Sequence, residues 1–561
     1  MEKRVMTQSS KTSVFLIQNN RRGEKMSSIA SLGRMISGLN ASQRGLQITS
    51  HNITNANTPG YIRQQLLQHD SRYTNIGNSG QRLQVGSGVT MTEIRQIRDE
   101  FSDRRFRAES SVLSYYSVKK DAVNEMEVIF GEPHGEALSK TLNDFWSQTQ
   151  KLGTNPSGIE ERMAFIQSAD VFIKQANHIQ TQLTEYQNSL NTQVKDTVRN
   201  VNNLTKGIQD LNESIAYYEI NGDRANDLRD QRNLLLDDLS AIMDIQYREE
   251  SDGRVIVTGE GATLVDRQFR TEMTTAQTKP GSSFVKPVWK DTGMDVYNME
   301  RAATSISGRD TGKLRSLLMM RGDSPANGET PWDEIALNDK LSVDSDANAY
   351  LIPKMQKEFD IFVRELTNTI NESLKGGKGQ GAFAGDDGVP VFVAIKPTAP
   401  PDLTSGMGLG NITINPELLK DGGYNKLGTS KTGDEGDTSI VEGLLEEWNK
   451  DREWFIDDPA DPGTTDPRGL SHPLKKNATF RAFYSELIAE LGAQGSEATG
   501  RAEEKVILIT DIDTARQSMG GVSTDEEMAS MMKYQYSYNA AARMITVLDG
   551  MMDTVINRMG I

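Results

Sequence analysis

The sequence predicts a multidomain α+β protein: paired N- and C-terminal coiled-coil helices, a mainly helical bundle domain, and β-rich inserted domains. Three observations carry this. Apolar residues recur at alternating three- and four-residue steps at both ends of the chain, from Ile29 to Ile53 and from Met528 to Met559. Proline-free helical periodicity fills 160–221, while short alternating or glycine-rich stretches fill 245–307 and 376–477. At 561 residues the chain exceeds what one core usually supports, so several domains are expected.

Composition narrows the function classes before any motif is read. Lys and Arg number 62 against 78 Asp and Glu, a net charge of −16 that argues against a nucleic-acid partner, because phosphate contacts need a basic face. Cysteine is absent, which removes disulfides, thiolate metal sites and cysteine nucleophiles together. No apolar run approaches a membrane span, and Val14-Phe15-Leu16-Ile17 is too short for the apolar centre of a signal peptide. Residues 1–26 carry Lys3, Arg4, Lys11, Arg21, Arg22 and Lys25 with no periodic apolar face, so they read as a disordered leader or as chain upstream of a true start at Met26.

The N-terminal helix carries a seam of Ile29, Leu32, Ile36, Leu39, Leu46 and Ile53, with polar Gln43 and Ser50 at the remaining positions. Asn52, Asn55 and Asn57 crowd toward Thr58-Pro59-Gly60-Tyr61, where proline disfavours the helical region for Thr58 and glycine accepts a positive φ. The helix must end there. Residues 62–89 read as extended chain or small hairpins, and Glu93 to Phe130 as a long helix closed by Gly131 and Pro133. A helical series from Glu136 to Met243 predicts an antiparallel pair or bundle, with Asn226-Asp227-Leu228-Arg229-Asp230-Gln231-Arg232 leading into Leu234-Leu235-Leu236. Short strands such as Arg254 to Thr258 and Thr263 to Val265 place a small β-rich unit at 245–307. Gly312 to Leu318 and Leu351 to Leu374 return the chain to the helical domain.

Residues 376–477 hold many glycines and prolines and read as an inserted domain with long loops, Asn411 to Pro416 being its best strand-to-turn candidate. Helical spacing resumes at Phe483, Leu487, Ile488 and Leu491, and a second run covers Arg501 to Gln517. In the last segment Thr524 is the expected N-cap, with Glu527 three residues on as a capping box requires. Its seam is Met528, Met531, Tyr538, Ala542, Ile545, Met552, Ile556 and Met559, broken by Gln535 and Asp549. Each end is thus a narrow apolar seam, marginal alone in water, and pairing the two would bury both. The expected units are 27–65 plus 520–561, then 66–244 plus 308–375 plus 478–519, with 245–307 and 376–477 inserted.

Little in the chain points to chemistry. Asp291-Thr292-Gly293 and Asp310-Thr311-Gly312 match the tripeptide of aspartic proteases, but they follow Lys290 and Arg309 rather than an apolar strand and sit too close for separate lobes. Chance is the better reading for both, and for Arg321-Gly322-Asp323. Gly377 to Gly381 follows a helix and lacks the Lys-Ser/Thr of a phosphate loop. His51, His69, His134, His178 and His472 are scattered without metal-site spacing. No catalytic residue, cofactor or metal is expected.

The run from Asn52 to Tyr61, Asn-Ile-Thr-Asn-Ala-Asn-Thr-Pro-Gly-Tyr, resembles the N-terminal motif of the flagellar axial family of rod, hook and hook-associated proteins. Ser518 to Ile561 is the other anchor of that resemblance. The Asn226 to Leu236, Gly312 to Leu318 and Leu351 to Leu374 segments resemble the hook-associated members, which favours the hook–filament junction. The resemblance implies a structural protein that is exported unfolded through the flagellar type III apparatus and is guarded by a chaperone on its C-terminal helices. It further implies a ring-like homo-oligomer in the extracellular axial tube, touching hook protein and the next junction protein, with no nucleic acid and no membrane insertion. A hook or rod subunit, an exported protein with an enzymatic 376–477 insert, and a cytoplasmic coiled-coil scaffold remain as alternatives.

Overall fold

The computed structural model describes residues 32–75, 84–131, 138–267, 269–299, 311–331, 334–335, 349–454, 475–554 and 557. The leader, Ile29, Ile556 and Met559 lie outside these described residues, as do Asp310, His134 and His472.

Helix α1 covers 32–54 and ends where the sequence requires, in hydrogen-bonded turns from His51 to Tyr61 around Pro59 and Gly60, whose φ is 76°. Four strands follow. β1 (Gln64–Asp70) pairs antiparallel with β4 (Val89–Gln96) from Gln64↔Gln96 to Asp70↔Val89, with a register shift after Leu67, and β2 (Tyr73–Asn75) pairs with β3 (Gln84–Gly86). Helix α2 runs Glu100–Phe130, so the helix expected from Glu93 starts later. The reason is local: Glu93 to Gln96 pair with β1, and the Asp99 side chain accepts from the Phe101 and Ser102 amides as N-cap.

The body is organised on one helix. α3 (Leu138–Thr154) leads into α4 (Ile159–Glu219), whose 61 residues make a rod of about 92 Å at ~1.5 Å per residue. α5 (Asn226–Ile242) turns back along it. Asparagines on α4 clip successive strands, each amide donating to and accepting from strand or loop backbone. Asn212 holds Val255 of β6 (Val255–Gly259) through Val255 O at 2.8 Å and Val255 N at 3.0 Å. Asn202 does the same to Met273, the first residue of β8 (Met273–Gln277), at 2.8 and 2.9 Å. Asn191 holds Ser283 O and Val285 N at the start of β9 (Val285–Trp289), and Asn177 holds Gly410 N and Ile412 O at β11 (Ile412–Ile414). An amide pairs a strand's donor and acceptor at once, so the backbone groups it clips are not left orphaned.

β5 (Ile245–Glu249), β6 and β7 (Ala262–Val265) form one three-stranded sheet, and β8 pairs with β9. α6 (Lys313–Arg321) and α7 (Leu351–Lys375) return to the body. Residues 376–454 do not stand apart from it. β10 (Phe392–Ala394) pairs with β11, and α8 (Ser439–Asn449), which the glycine-rich reading missed, packs Trp448 against Phe145 and Trp146 of α3. The strands β12 (Arg452–Trp454) and β13 (Lys475–Ala478) close this side, with Trp454 stacked 4.0 Å from Phe483 and both near Phe362. One apolar core therefore runs through helices and insert together.

α9 (Phe480–Gly520) is a single helix where two runs were expected; it lies antiparallel to α2, Gly495 meeting Val123 at one end and Arg516 meeting Asp103 at the other. α10 (Thr524–Asp553) follows after three residues. Its N-cap is Ser523, whose hydroxyl accepts from the Glu526 amide at 3.4 Å, and not Thr524. Glu527 is thereby released from the expected capping box.

Candidate assembly site where the terminal helices meet the body

α1 and α10 pack together, but not along the expected N-terminal seam. The buried residues of α1 are Ala41, Ser42, Gly45, Ile48, Thr49 and Asn52, a stripe in which Ile48 is the one large apolar side chain among small and polar ones. Gly45 lies so close to α10 that a Cβ there would sit 2.6 Å from the Tyr534 ring. Small residues let the helix axes approach, and the aromatic ring fills the space. Farther along, the hairpin strands hold α1 through Arg34 on Gly86 O (3.5 Å) and the Val89 amide on Ser37 Oγ (3.2 Å). The apolar column Leu32, Leu39, Leu46 and Ile53 is left half-buried on the flank, and Ile36 is 43% exposed.

On α10 the residues that are half-buried are Ser530, Met531, Tyr534, Tyr538, Ala541, Ala542, Ile545, Leu548 and Met552. Met531, Tyr538, Ala542, Ile545 and Met552 were expected there. Met528 is exposed, while Tyr534 and Leu548 were missed. Glu527, Tyr534, Ala541 and Leu548 fall seven apart, so the second column of the seam starts at Glu527 rather than Met528. Of the described residues in the Met528 column, only Ala542 is half-buried, while Met528 and the two polar breaks Gln535 and Asp549 are exposed.

Two stretches connect this pair to the body, Ile62–Arg63 and Gly520–Ser523, and they are stitched to each other. The Arg63 amide donates to Gly520 O at 2.8 Å, and the Ile97 amide donates to Arg63 O at 3.1 Å. A Cβ at Gly520 would lie 2.8 Å from Ile97 O, so only glycine fits.

Around this elbow the motif residues work as a hydrogen-bond hub. Asn52, 1% exposed, donates to Gln64 O at 3.0 Å and to Glu527 Oε2 at 3.1 Å, and accepts from Tyr61 Oη at 2.8 Å and from the Gln64 amide at 3.1 Å. All four of its bonds are made. Glu527 also takes Arg63 Nε at 2.6 Å, with Glu526 on Arg63 Nη1 at 3.1 Å. Tyr61 gives its one proton to Asn52, so its contact with His51 Nδ1 at 3.0 Å needs the hydrogen on the imidazole, and His51 Nε2 then faces Asp227 at 3.5 Å. Burial raises the Tyr61 hydroxyl well above the usual phenol range, helped by the Asp227, Asp230 and Glu527 carboxylates. Asn55 and Thr58 close the turn on themselves, with Thr58 Oγ1 donating to Asn55 Oδ1 at 3.2 Å, while Asn57, Pro59 and Gly60 are exposed. Gly60 leaves room for Leu234, whose Cβ lies 3.4 Å from where its own would be.

The body answers with α5. Asp227 accepts from Gln64 Nε2 at 2.7 Å; Asp230 accepts from the Ile62 amide at 3.2 Å and from Gln96 Nε2 at 2.7 Å. Burial pushes the Asp230 carboxyl up to about 7, against the pull of the Ile62 amide, Arg98 and Gln96. An ion-pair chain continues: Arg98 to Asp103, Asp103 to Arg516 at 2.9 Å, Arg516 to Asp237 at 2.8 Å, and Asp237 to Arg107 at 2.6 Å. These groups are all largely buried and mutually paired, so loss of one leaves another charge stranded. An open groove of about 1080 Å³ runs beneath the turn, between Pro59, Leu234, Asp238 and Met519.

Among the described residues no group of three or more His, Asp and Glu could hold a metal, and no helix is long and apolar enough to cross a membrane. The site joins the terminal pair to the body by charge and hydrogen bonding.

Comparison with known proteins agrees with that geometry. A model of the flagella basal body rod protein matches residues 35–61, and one of the C-terminal region of the flagellar basal body rod FlgEFG proteins matches 516–559, the two ends that build the elbow. Between them, a model described as the flagellar hook-associated protein FlgK helical domain matches 123–392. Flagellar hook-associated protein 1 of Bacillus subtilis (strain 168) is 27% identical over 539 residues, spanning 93% of this chain and 97% of that one. That of Salmonella typhimurium (strain LT2) is 23% identical over 569 residues, spanning 94% and 99%. The flagellar hook junction protein FlgK from Burkholderia pseudomallei shares the fold, with a TM-score of 0.52 at 13% identity, over 75% of this chain and all of that one.

Terminal segments of this type, folded back on one another, define a structural protein of the bacterial flagellar axis. The helical domain carried between them makes the particular assignment: the chain is a flagellar hook-associated protein, similar along nearly its whole length to hook-associated protein 1, the hook–filament junction protein.

Proposed function

We propose that this protein forms the joint between hook and filament by assembling side by side with copies of itself through the outer faces of α1 and α10. The observation that carries the reading is a second apolar stripe. After α10 has packed against α1, Met528, Met532, Tyr536, Met544, Val547 and Met551 remain half or more exposed, at three- and four-residue steps except for the two-turn step from Tyr536 to Met544 that passes Ala540, and Ile36 is exposed on α1. A fully buried side chain of this size contributes about 1.5–3 kcal/mol, so the stripe is a large unused source of association energy. Methionine packs adaptably, which suits a face that meets hook protein, its own copies and the next junction protein in turn.

The same stripe supports the finer parts of the reading. Export in an unfolded state through the flagellar type III apparatus avoids presenting it in the cell, and a chaperone on the C-terminal helix, covering Met528 to Met559, would shield it until then. Folding of the terminal pair and packing into the extracellular axial tube become one event. No catalytic step belongs to this function.

The test is electron microscopy of cells that lack the gene or carry Met532→Glu with Met544→Glu, with flagellin assayed in the medium. The expected result is hooks without filaments and flagellin lost to the medium, the variant being secreted but unassembled. Normal filaments in either strain would overturn the proposal. Missing hooks in the deletion would instead make the protein a rod or hook subunit.

A further inference from the structure

We infer that Asn221 is a site of spontaneous deamidation, a covalent change written into the turn that feeds the elbow. The whole sequence contains two Asn-Gly steps, Asn221-Gly222 and Asn327-Gly328. Glycine after asparagine lets the following backbone nitrogen reach the side-chain carbonyl, because no Cβ stands in its way. The structure separates the two steps sharply.

Asn327-Gly328 is locked. Asn327 Oδ1 accepts from the Glu329 amide and from Thr330 Oγ1, both at 3.0 Å, and the attacking nitrogen, Gly328 N, donates to the buried Asp360 carboxylate at 2.6 Å. Asn221-Gly222 is open. It lies in the turn between α4 and α5, both residues are exposed, the Asn221 side chain has no hydrogen-bond partner, and the space around Gly222 is empty. Gly222, at φ +87°, is held only by a turn bond from its amide to Glu219 O at 2.9 Å.

The chemistry balances without an enzyme or cofactor. Gly222 N forms a bond to Asn221 Cγ and loses its proton, the side-chain nitrogen leaves as ammonia, and a five-membered imide results. Water then opens either imide carbonyl, giving aspartate or isoaspartate, the latter with an added methylene in the backbone. The change falls on a short span pinned at both ends. Glu219 is held by Arg229 at 2.7 and 2.8 Å and accepts from the Ala225 amide at 2.9 Å, immediately before Asn226 and Asp227 of the elbow. Lengthening that span, and adding a carboxylate beside Asp223, loads the start of α5.

The experiment uses the full folded chain incubated at mildly alkaline pH, then digested with trypsin and mapped by mass spectrometry, with an unincubated sample as background. Cleavage after Lys206 and Arg224 isolates Asn221, and cleavage after Arg321 and Lys340 isolates Asn327. The expected result is amide-to-acid conversion at Asn221 at least about tenfold faster than at Asn327, because the latter must first open locally, with isoaspartate detected by isoaspartyl methyltransferase. In denaturant the two steps should convert at similar rates. A folded chain that keeps Asn221 as the amide, or that converts both steps equally, would overturn the inference. Aspartate formed without isoaspartate would rule out the imide route.

Discussion

Asn52→Ala tests whether the elbow hub fixes the terminal helices. The substitution removes two donated and two accepted hydrogen bonds at once, one of them to the Glu527 carboxylate. A neutral bond contributes about 0.5–1.5 kcal/mol and one to a charge about 1.5–3, and the bonds share partners, so the expected loss is about 3–5 kcal/mol rather than their full sum. Almost all of it falls on the terminal pair, because no Asn52 partner lies in the helical core. Hydrogen exchange followed by mass spectrometry reads this directly. Amides of α1 from Gly45 onward, of β1 and of the first turns of α10 should lose protection, while those of α2 and α4 keep theirs. Asn52→Asp sharpens the test: it swaps the amide donor facing Glu527 for a carboxylate, so its loss should be greater at neutral pH than in acid. Unchanged protection at Gly45 to Gln64 in both variants, or loss spread evenly through α2 and α4, would refute the hub as the source of the joint's rigidity.

Two further outcomes follow from close contacts and burial at the same place. Gly45→Leu should part α1 from α10, costing the pair about 1–3 kcal/mol by overpacking against Tyr534, and Tyr534→Ala added to it should restore part of the α10 protection. Asp230 gives a pH dependence with a defined sign. Its carboxyl is raised in the folded state from 3.8 to about 7, so its contribution is full below pH ~4 and is lost as pH rises through ~7, a fall on the order of 4 kcal/mol at most. Exchange at Ile62 to Gln64 should therefore quicken from pH 5 to 8 beyond the intrinsic rate, and Asp230→Asn should flatten that dependence.

The terminal helices, the stop at Pro59-Gly60, the 61-residue run of α4 and the small β unit were all legible, because each rests on local rules of periodicity and turn chemistry. What escaped depends on contacts distant in sequence. Glu527 reads locally as a capping residue, and only the fold brings Arg63 and Asn52 to it. The seam of α1 was misread for a related reason: its most apolar column looked like the face to bury, whereas Gly45, Ser42 and Thr49 allow the closer approach of a helix bearing tyrosines. The clipping asparagines of α4 carried a faint signal, recurring on a helix whose other buried residues are mostly apolar, where asparagine has no intrinsic reason to be. α8 was hidden by the glycines around it; Val441, Leu444 and Trp448 show its helical spacing once its limits are known.

The bond from Asn52 to Glu527 joins residues 475 positions apart. A chain made from its N-terminus at about 5–20 residues per second completes α1 roughly half a minute to a minute and a half before the first turn of α10 exists. Through that interval Gly45 has no ring to receive and Asn52 no carboxylate to hold. Nothing in the body substitutes, since the elbow needs Gly520 as well. The terminal pair is thus the last part of the molecule that can form, and until then α1 has the strands that follow it for partners. A protein built this way keeps its joining surface unfinished until two segments from opposite ends of the described chain lie together, so that surface can be completed only once both have emerged on the same side.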